Sequence, residues 1–362
     1  MADGPPQQQG RLGGYPPAVS SPARPGRRAG PPPSRKKLLL ASVVIGLLLL
    51  EGGLRLTMGN FAQSRILQRS DDPDVCLEVR PDTTLRYTGW RTRIAPTTFR
   101  TNRFGARGPD FAVPAEPGVL RIAAVGDSFT FGQGVEEDEA FGQVMARALQ
   151  ARGIPAEVLN FGVPGHSTPQ EVALVRHKVL ATQPDVVLLH VFVNDLTVEE
   201  SYCDYGSGGI ALGKWLLHNV YVARQIMMLT HAGGHGAGAA TGVDGSPGER
   251  FVASLKELEA LGREHDFLTA AVLLTDRQMY RQRCPGCDIA HDLVTQAPIH
   301  QVDLSPVWAH LQRDIDANFI RGDDHFTVVG NEIVGEALAG AVSQWPELKA
   351  RVVRVRQESL DP

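Results

Sequence analysis

Ser128, His325 and Asn194 are residue types that can carry acyl transfer if folding brings them together. Ser128 stands in "VGDSFTFGQG" (125–134), where an apolar run ends in Gly-Asp-Ser and then enters glycine-spaced chain. A serine hydroxyl is a weak nucleophile. It needs a base to take its proton, a group to hold that base, and donors for the oxyanion that forms on the substrate. His325, beside two aspartates in "RGDDHFTVVG" (321–330), is the candidate base. The candidate donors are the backbone N–H of Ser128, the backbone N–H of Gly165 in "NFGVPG" (160–165), and the side-chain amide of Asn194 in "VND" (193–195). A glycine at 165 lets the backbone come close to a reacting carbon. Asn194 offers a neutral donor that does not titrate near pH 7. The competing reading of Gly-Asp-Ser is a turn in which Ser128 only caps a helix.

The choice depends on the elements that hold these residues. "VLRIAAVGD", "AEVLNFG", "DVVLLHVFVND", "FLTAAVLLTD" and "IHQVDL" are apolar runs of strand length. Helical stretches separate them. "EAFGQVMARALQARG" puts Phe141, Val144, Met145, Ala148 and Leu149 on one face, and "TPQEVALVRHKVLATQ" and "SLKELEALGREH" follow in turn. A helix is expected near "VWAHLQRDI", and "VVGNEIVGEALAGAVSQW" closes the series. Strand and helix in alternation predict a three-layer α/β/α sandwich around a mostly parallel sheet, flavodoxin-like in type. In such sheets ligands bind beyond the carboxyl ends of the strands. Ser128 follows the first strand, Asn160, Gly162 and Gly165 the second, and Asn194 and Asp195 the third. All of them therefore belong at one edge.

Four ordered blocks, "GDS" (126–128), "NFGVPG" (160–165), "VND" (193–195) and "DDH" (323–325), resemble those of the SGNH, or GDSL, hydrolases. The resemblance spans about 119–345. "TNRFGARGPD" (101–110) is similar to the lead-in of membrane-anchored bacterial members. It implies the SGNH hydrolase fold and a serine esterase with Ser128 as nucleophile, His325 as base and an oxyanion hole of Ser128, Gly165 and Asn194. No metal or organic cofactor is implied. Two positions depart from the usual pattern. Phe192 stands where the third block usually has glycine, and Gly322 stands where the last block usually has aspartate. Residues two apart in an extended segment share a side, which makes Asp323 rather than Asp324 the expected partner of His325. A backbone carbonyl is the other way of orienting it. The same residues would also serve an acyltransferase working on an envelope polysaccharide, or an inactive member that binds glycan.

Several polar residues have plainer expectations. Asp127 is expected to fix the turn, Asn160 to bond the loop carrying Gly162 and Gly165, and Asp195 to cap the following segment. His190, inside an apolar strand, is expected to be a satisfied core histidine.

The remaining chain sets the context. It has 362 residues and a formal net charge of -4, which leaves no basic surface for nucleic acid. Residues 1–37 are rich in proline and arginine and read as a disordered tail. Leu38–Leu50 is apolar except for Ser42, follows Arg35, Lys36 and Lys37, and is not followed by a small-x-small cleavage site. Extended to Leu56, with Arg55 able to snorkel, it is expected to be a retained signal anchor over 38–56, the basic tail inside the cell. Residues 57–118 then form a lead-in packed on a domain at 119–350, with a Gly-rich insertion at 231–249 and a tail at 351–362. That topology puts the domain outside the cytoplasm, where the even number of cysteines (Cys76, Cys203, Cys284, Cys287) suits disulfides. "CPGC" (284–287) can close a small disulfide loop, and a metal set with His291 is the weaker alternative. His231 and His235, in the insertion, are not held as a metal site. The expected partners are an ester-bearing small molecule, lipid or acylated glycan, and the membrane through the N-terminal helix.

Overall fold

The computed structural model describes residues 34–58, 66–87, 96–192, 246–273, 292–302, 304, 307, 312–320 and 325–358. Helix α1 spans Arg35–Met58 and contains the Leu38–Leu50 run, whose side chains are largely exposed. The thirteen-residue run is about 20 Å of helix and the whole of α1, 24 residues, about 36 Å, against a hydrocarbon thickness of about 30 Å. Arg35, Lys36 and Lys37 precede the run and Glu51 follows it. Among the described residues, no helix is long and apolar enough to cross a membrane.

Two small antiparallel sheets come next, β1 (Leu67–Arg69) with β2 (Leu77–Val79) and β3 (Thr84–Tyr87) with β4 (Thr97–Arg100). Cys76 is disulfide-bonded. The other three cysteines lie outside the described residues, as does most of the glycine-rich insertion.

The central sheet has five parallel strands: β5 (Leu120–Gly126), β6 (Ala156–Gly162), β7 (Val186–Val191), β8 (Leu268–Leu273) and β9 (His300–Val302). Their order is β6-β5-β7-β8-β9. The register places Gly126 opposite Gly162 and Ala124 opposite Asn160, so β5 and β6 end at the same edge. Alternate strand residues feed two cores, as expected for a sheet covered on both faces. On one face Ala123, Val125, Leu159 and Val187 pack with Val172 and Val175 of α4 (Thr168–His177) and Phe251 and Leu255 of α5 (Pro247–Glu264). On the other, Ile122, Ala124, Leu188 and Ala270 pack with Phe141, Met145 and Leu149 of α3 (Phe141–Ala151). Val334 and Leu338 of α7 (Val328–Val342) complete that second core. The fold is a three-layer α/β/α sandwich, with α2 (Ser128–Phe131) and α6 (Ile315–Asn318) as single turns beside it.

Three boundaries differ from the sequence reading. Helix α5 starts at Pro247, because Ser246 and Glu249 form a capping box, so residues 247–249 leave the insertion and join the helix. The helix after β6 ends at His177 and resumes as a 3-10 turn, Val179–Thr182, whose terminal carbonyl accepts from Arg121. Helix α8 (Pro346–Glu358) runs through the stretch read as a tail beyond 350. It is anchored by the fully buried Leu348 and by Arg351, which pairs with Asp266 at 3.0 Å. Near "VWAHLQRDI" the described part is a 3-10 turn, Gln312–Asp314, leading into α6.

Candidate active site

Strand β5 delivers the chain to Asp127, which caps α2. Its carboxylate accepts the Phe129 N–H at 2.9 Å. Capping therefore falls to Asp127, and the Ser128 hydroxyl is left for another partner. That partner is His325, whose Nε2 lies 2.8 Å from Ser128 Oγ. Both residues are half-buried, so the pair is shielded yet reachable. His325 sits just ahead of α7, where its carbonyl accepts the Ile320 N–H at 2.7 Å and Phe326 bridges to Phe319.

The turn that carries Ser128 is held from behind. Asn160 donates through Nδ2 to the Thr130 carbonyl at 2.8 Å and accepts the Gly162 N–H at 3.0 Å through Oδ1. Asn160 thus ties the end of β6 to α2, and the Val163 N–H donates to the Gly126 carbonyl at 2.8 Å. A Cβ at Gly162 would run into the backbone of Phe131, which explains why only glycine fits there. Gly165 lies in the loop after β6, exposed, with φ +87, in the left-handed region that favours glycine. Asn194, Asp195, Gly322, Asp323 and Asp324 lie outside the described residues, so the structure brings together Ser128 and His325 with Gly165 at the same sheet edge.

Arg107 is the residue that sequence reasoning missed. Asn102 folds "TNRFGARG" on itself by accepting the N–H groups of Phe104 and Ala106 at 3.0 and 3.2 Å. The loop then pairs with β6, the Arg107 N–H donating to the Asn160 carbonyl at 2.9 Å. The guanidinium, 2% exposed, donates to the carbonyls of Phe131, Gly132 and Val135, each at 2.6 Å. A cation at the carbonyl end of a helical turn complements its dipole. Burial pulls the Arg107 pKa down to about 10, with Glu137 opposing, so the group stays charged at neutral pH. The signal for it was the quoted lead-in motif, but the contact is made by folding and not by spacing.

His190 lies behind the same turn, 1% exposed, its Nδ1 3.2 Å from Thr130 Oγ1. Burial pushes its pKa down to about 3, so the ring is neutral. Its Nε2 meets no partner within 3.5 Å among the described residues, and the Val125 backbone bonds the ring. Among the described residues no group of His, Cys, Asp or Glu gathers as a metal site.

Residues 124–225 match the model of the GDSL-like Lipase/Acylhydrolase family, a stretch that includes Ser128, Asn160 and Gly165. No curated protein matches the chain. Among solved structures it is similar to the acetyl xylan esterase AlAXEase, with 17% identity over 62% of this chain and 100% of that one, at a TM-score of 0.42. It is similar also to a lipolytic protein of the G-D-S-L family from Veillonella parvula, with 12% identity, 62% and 100% coverage and a TM-score of 0.41. A third is the psychrotrophic esterase EstA from Pseudoalteromonas sp., with 12% identity, 62% and 97% coverage and a TM-score of 0.41.

Proposed function

We propose that this protein is a serine esterase that cleaves a carboxylic ester through an acyl-enzyme at Ser128. The observation that carries the reading is the 2.8 Å contact between Ser128 Oγ and His325 Nε2 at the carboxyl edge of the sheet. It meets the distance required of a nucleophile and its base. The family match over 124–225 supports a hydrolase.

In the proposed reaction Ser128 Oγ attacks the ester carbonyl as His325 Nε2 takes its proton. The oxyanion rests on the N–H groups of Ser128 and Gly165 and on the Asn194 amide. His325 then protonates the leaving alcohol as the C–O bond breaks. Water, deprotonated by His325, attacks the acyl carbon, and Ser128 regains its proton as the acid leaves. Asp323 holds His325 in the tautomer that leaves Nε2 free to accept.

Labelling with a serine-reactive phosphonate tests the nucleophile. The wild type should be labelled and Ser128→Ala should not, with ester turnover lost at the same time; label on another serine would refute the assignment. Label without hydrolysis of any ester would point to acyl transfer onto a glycan. For the acid, Asp323→Asn should lower kcat steeply and Asp324→Asn little, and the reverse order would move the role to Asp324.

The proposal includes anchoring by α1 with the domain outside the cytoplasm. It is supported by the exposed leucine run behind a basic cluster and by the disulfide at Cys76, which suits an oxidising compartment. Protease added to spheroplasts should remove the domain and leave α1 in the membrane fraction. Protection of the domain would overturn this topology.

A further inference from the structure

The hydrogen bond at Nε2 fixes one direction of the His325 ring. The torsion that sets a histidine ring plane is broad, so a flat contact narrows that plane beyond what in-plane bonds do. The structure supplies one. Phe129, the residue after the nucleophile, lies against His325 with ring centroids 4.6 Å apart and planes tilted by 35°. On Phe129 stacks Phe192, at 4.0 Å and 24°. Phe326 closes the side of Phe129 edge-on, at 5.3 Å and 73°. Phe192 is 2% exposed and follows directly on β7, so it is fixed to the central strand of the sheet. The series runs from the rigid sheet through Phe192 and Phe129 to the imidazole.

We propose that Phe192 acts through Phe129 as a positioning residue for His325, an inference that rests on Ser128 and His325 being nucleophile and base. Phe192 stacks on Phe129, which in turn lies against His325. Its part is to back the Phe129 ring, whose face sets the plane in which Nε2 meets Ser128 Oγ. Offset stacks of this kind have preferred geometry, so an aliphatic side chain of similar volume fills the space without supplying the face.

The test uses the full chain and four proteins: wild type, Phe192→Leu, Phe192→Tyr and Phe129→Leu. Three quantities are read: kcat and KM on p-nitrophenyl acetate, the rate of phosphonate labelling at Ser128, and the NMR shifts of the His325 ring protons, assigned by their loss in His325→Gln. Phe192→Leu should lower kcat and the labelling rate about tenfold, because a small misplacement of a catalytic group has a large effect on rate. KM should stay within about twofold, since substrate binding is not addressed. The His325 ring protons should move as the ring currents of Phe129 shift. Phe192→Tyr, which keeps the ring, should recover most of the loss. Phe129→Leu should reproduce the Phe192→Leu phenotype, and it decides the matter if Phe192→Leu does not fold. A labelled wild type with unchanged kcat and unmoved His325 resonances in the leucine variants would overturn the positioning role alone. An unlabelled, inactive wild type whose His325 resonances still move would leave the stack standing and overturn the esterase reading.

Discussion

Arg107 carries a charge into the core and spends it on backbone carbonyls. Its fork of donors reaches Phe131, Gly132 and Val135 together, which a point charge on a flexible stem cannot do. Arg107→Met should therefore lower the unfolding free energy by about 3 kcal/mol or more, because buried carbonyls lose charged donors. Arg107→Lys should recover little of that loss. Urea unfolding of both variants checks the claim, and full recovery by lysine would show that charge alone matters. Gly162 makes a second test at the same turn. Gly162→Ala forces the Phe131 backbone to move, so labelling of Ser128 should slow by about tenfold or more, as expected when a nucleophile is displaced. An unaltered labelling rate would show that the turn accommodates the methyl group.

Helix α8 makes the test at the scale of elements. It is polar along much of its length, yet Leu348 is fully buried against the α3 and α7 face of the sheet. Leu348→Ala should cost about 2–5 kcal/mol, the usual range for a buried leucine, with ester turnover unaffected below the melting transition. A loss under about 0.5 kcal/mol would class α8 with ordinary surface chain. The same helix shows what the sequence left illegible. Strands β5 to β8 were readable because burial on both faces demands unbroken apolar runs, and α3 because its apolar residues recur at helical spacing. Helix α8 shows mainly Lys349, Arg351, Arg354 and Arg356, so its few core contacts, Leu348 and Val352, gave no pattern. Strands β1 to β4 have three or four residues each, too few for alternation to register. At the candidate site, the places of Ser128 and Gly165 past strand ends were legible from the sequence, as was a turn-fixing part for Asp127. Arg107 and the Phe129–Phe192 stack were not, since both depend on contacts between segments that no local pattern encodes.

For the whole molecule, two buried histidines make stability depend on acid. Burial holds His190 at about 3 and His166 at about 4, the latter with Nε2 2.6 Å from the Leu77 carbonyl. Both lie below the ordinary value of about 6.5. The unfolded chain therefore binds more protons than the native one in between, and stability falls as pH drops from about 6.5 towards those values. Each histidine adds a slope of about 1.4 kcal/mol per pH unit inside its window. Thermal melts from pH 7 to pH 4 should show the decline, and His166→Gln should flatten it above pH 4; parallel curves would remove His166 as a cause.

The contact between Ser128 and His325 joins residues 197 apart, and the bond from the Phe141 N–H to Asn331 Oδ1 spans 190. Loop-closure entropy must be met before contacts so distant in sequence are rewarded. During synthesis the serine leaves the ribosome long before the histidine exists. The nascent chain therefore passes most of its assembly with a Ser128 hydroxyl of ordinary reactivity, and under the proposed function that hydroxyl gains its base only when the segment ahead of α7 docks. On the proposed reading, maturation and activation are a single event in time.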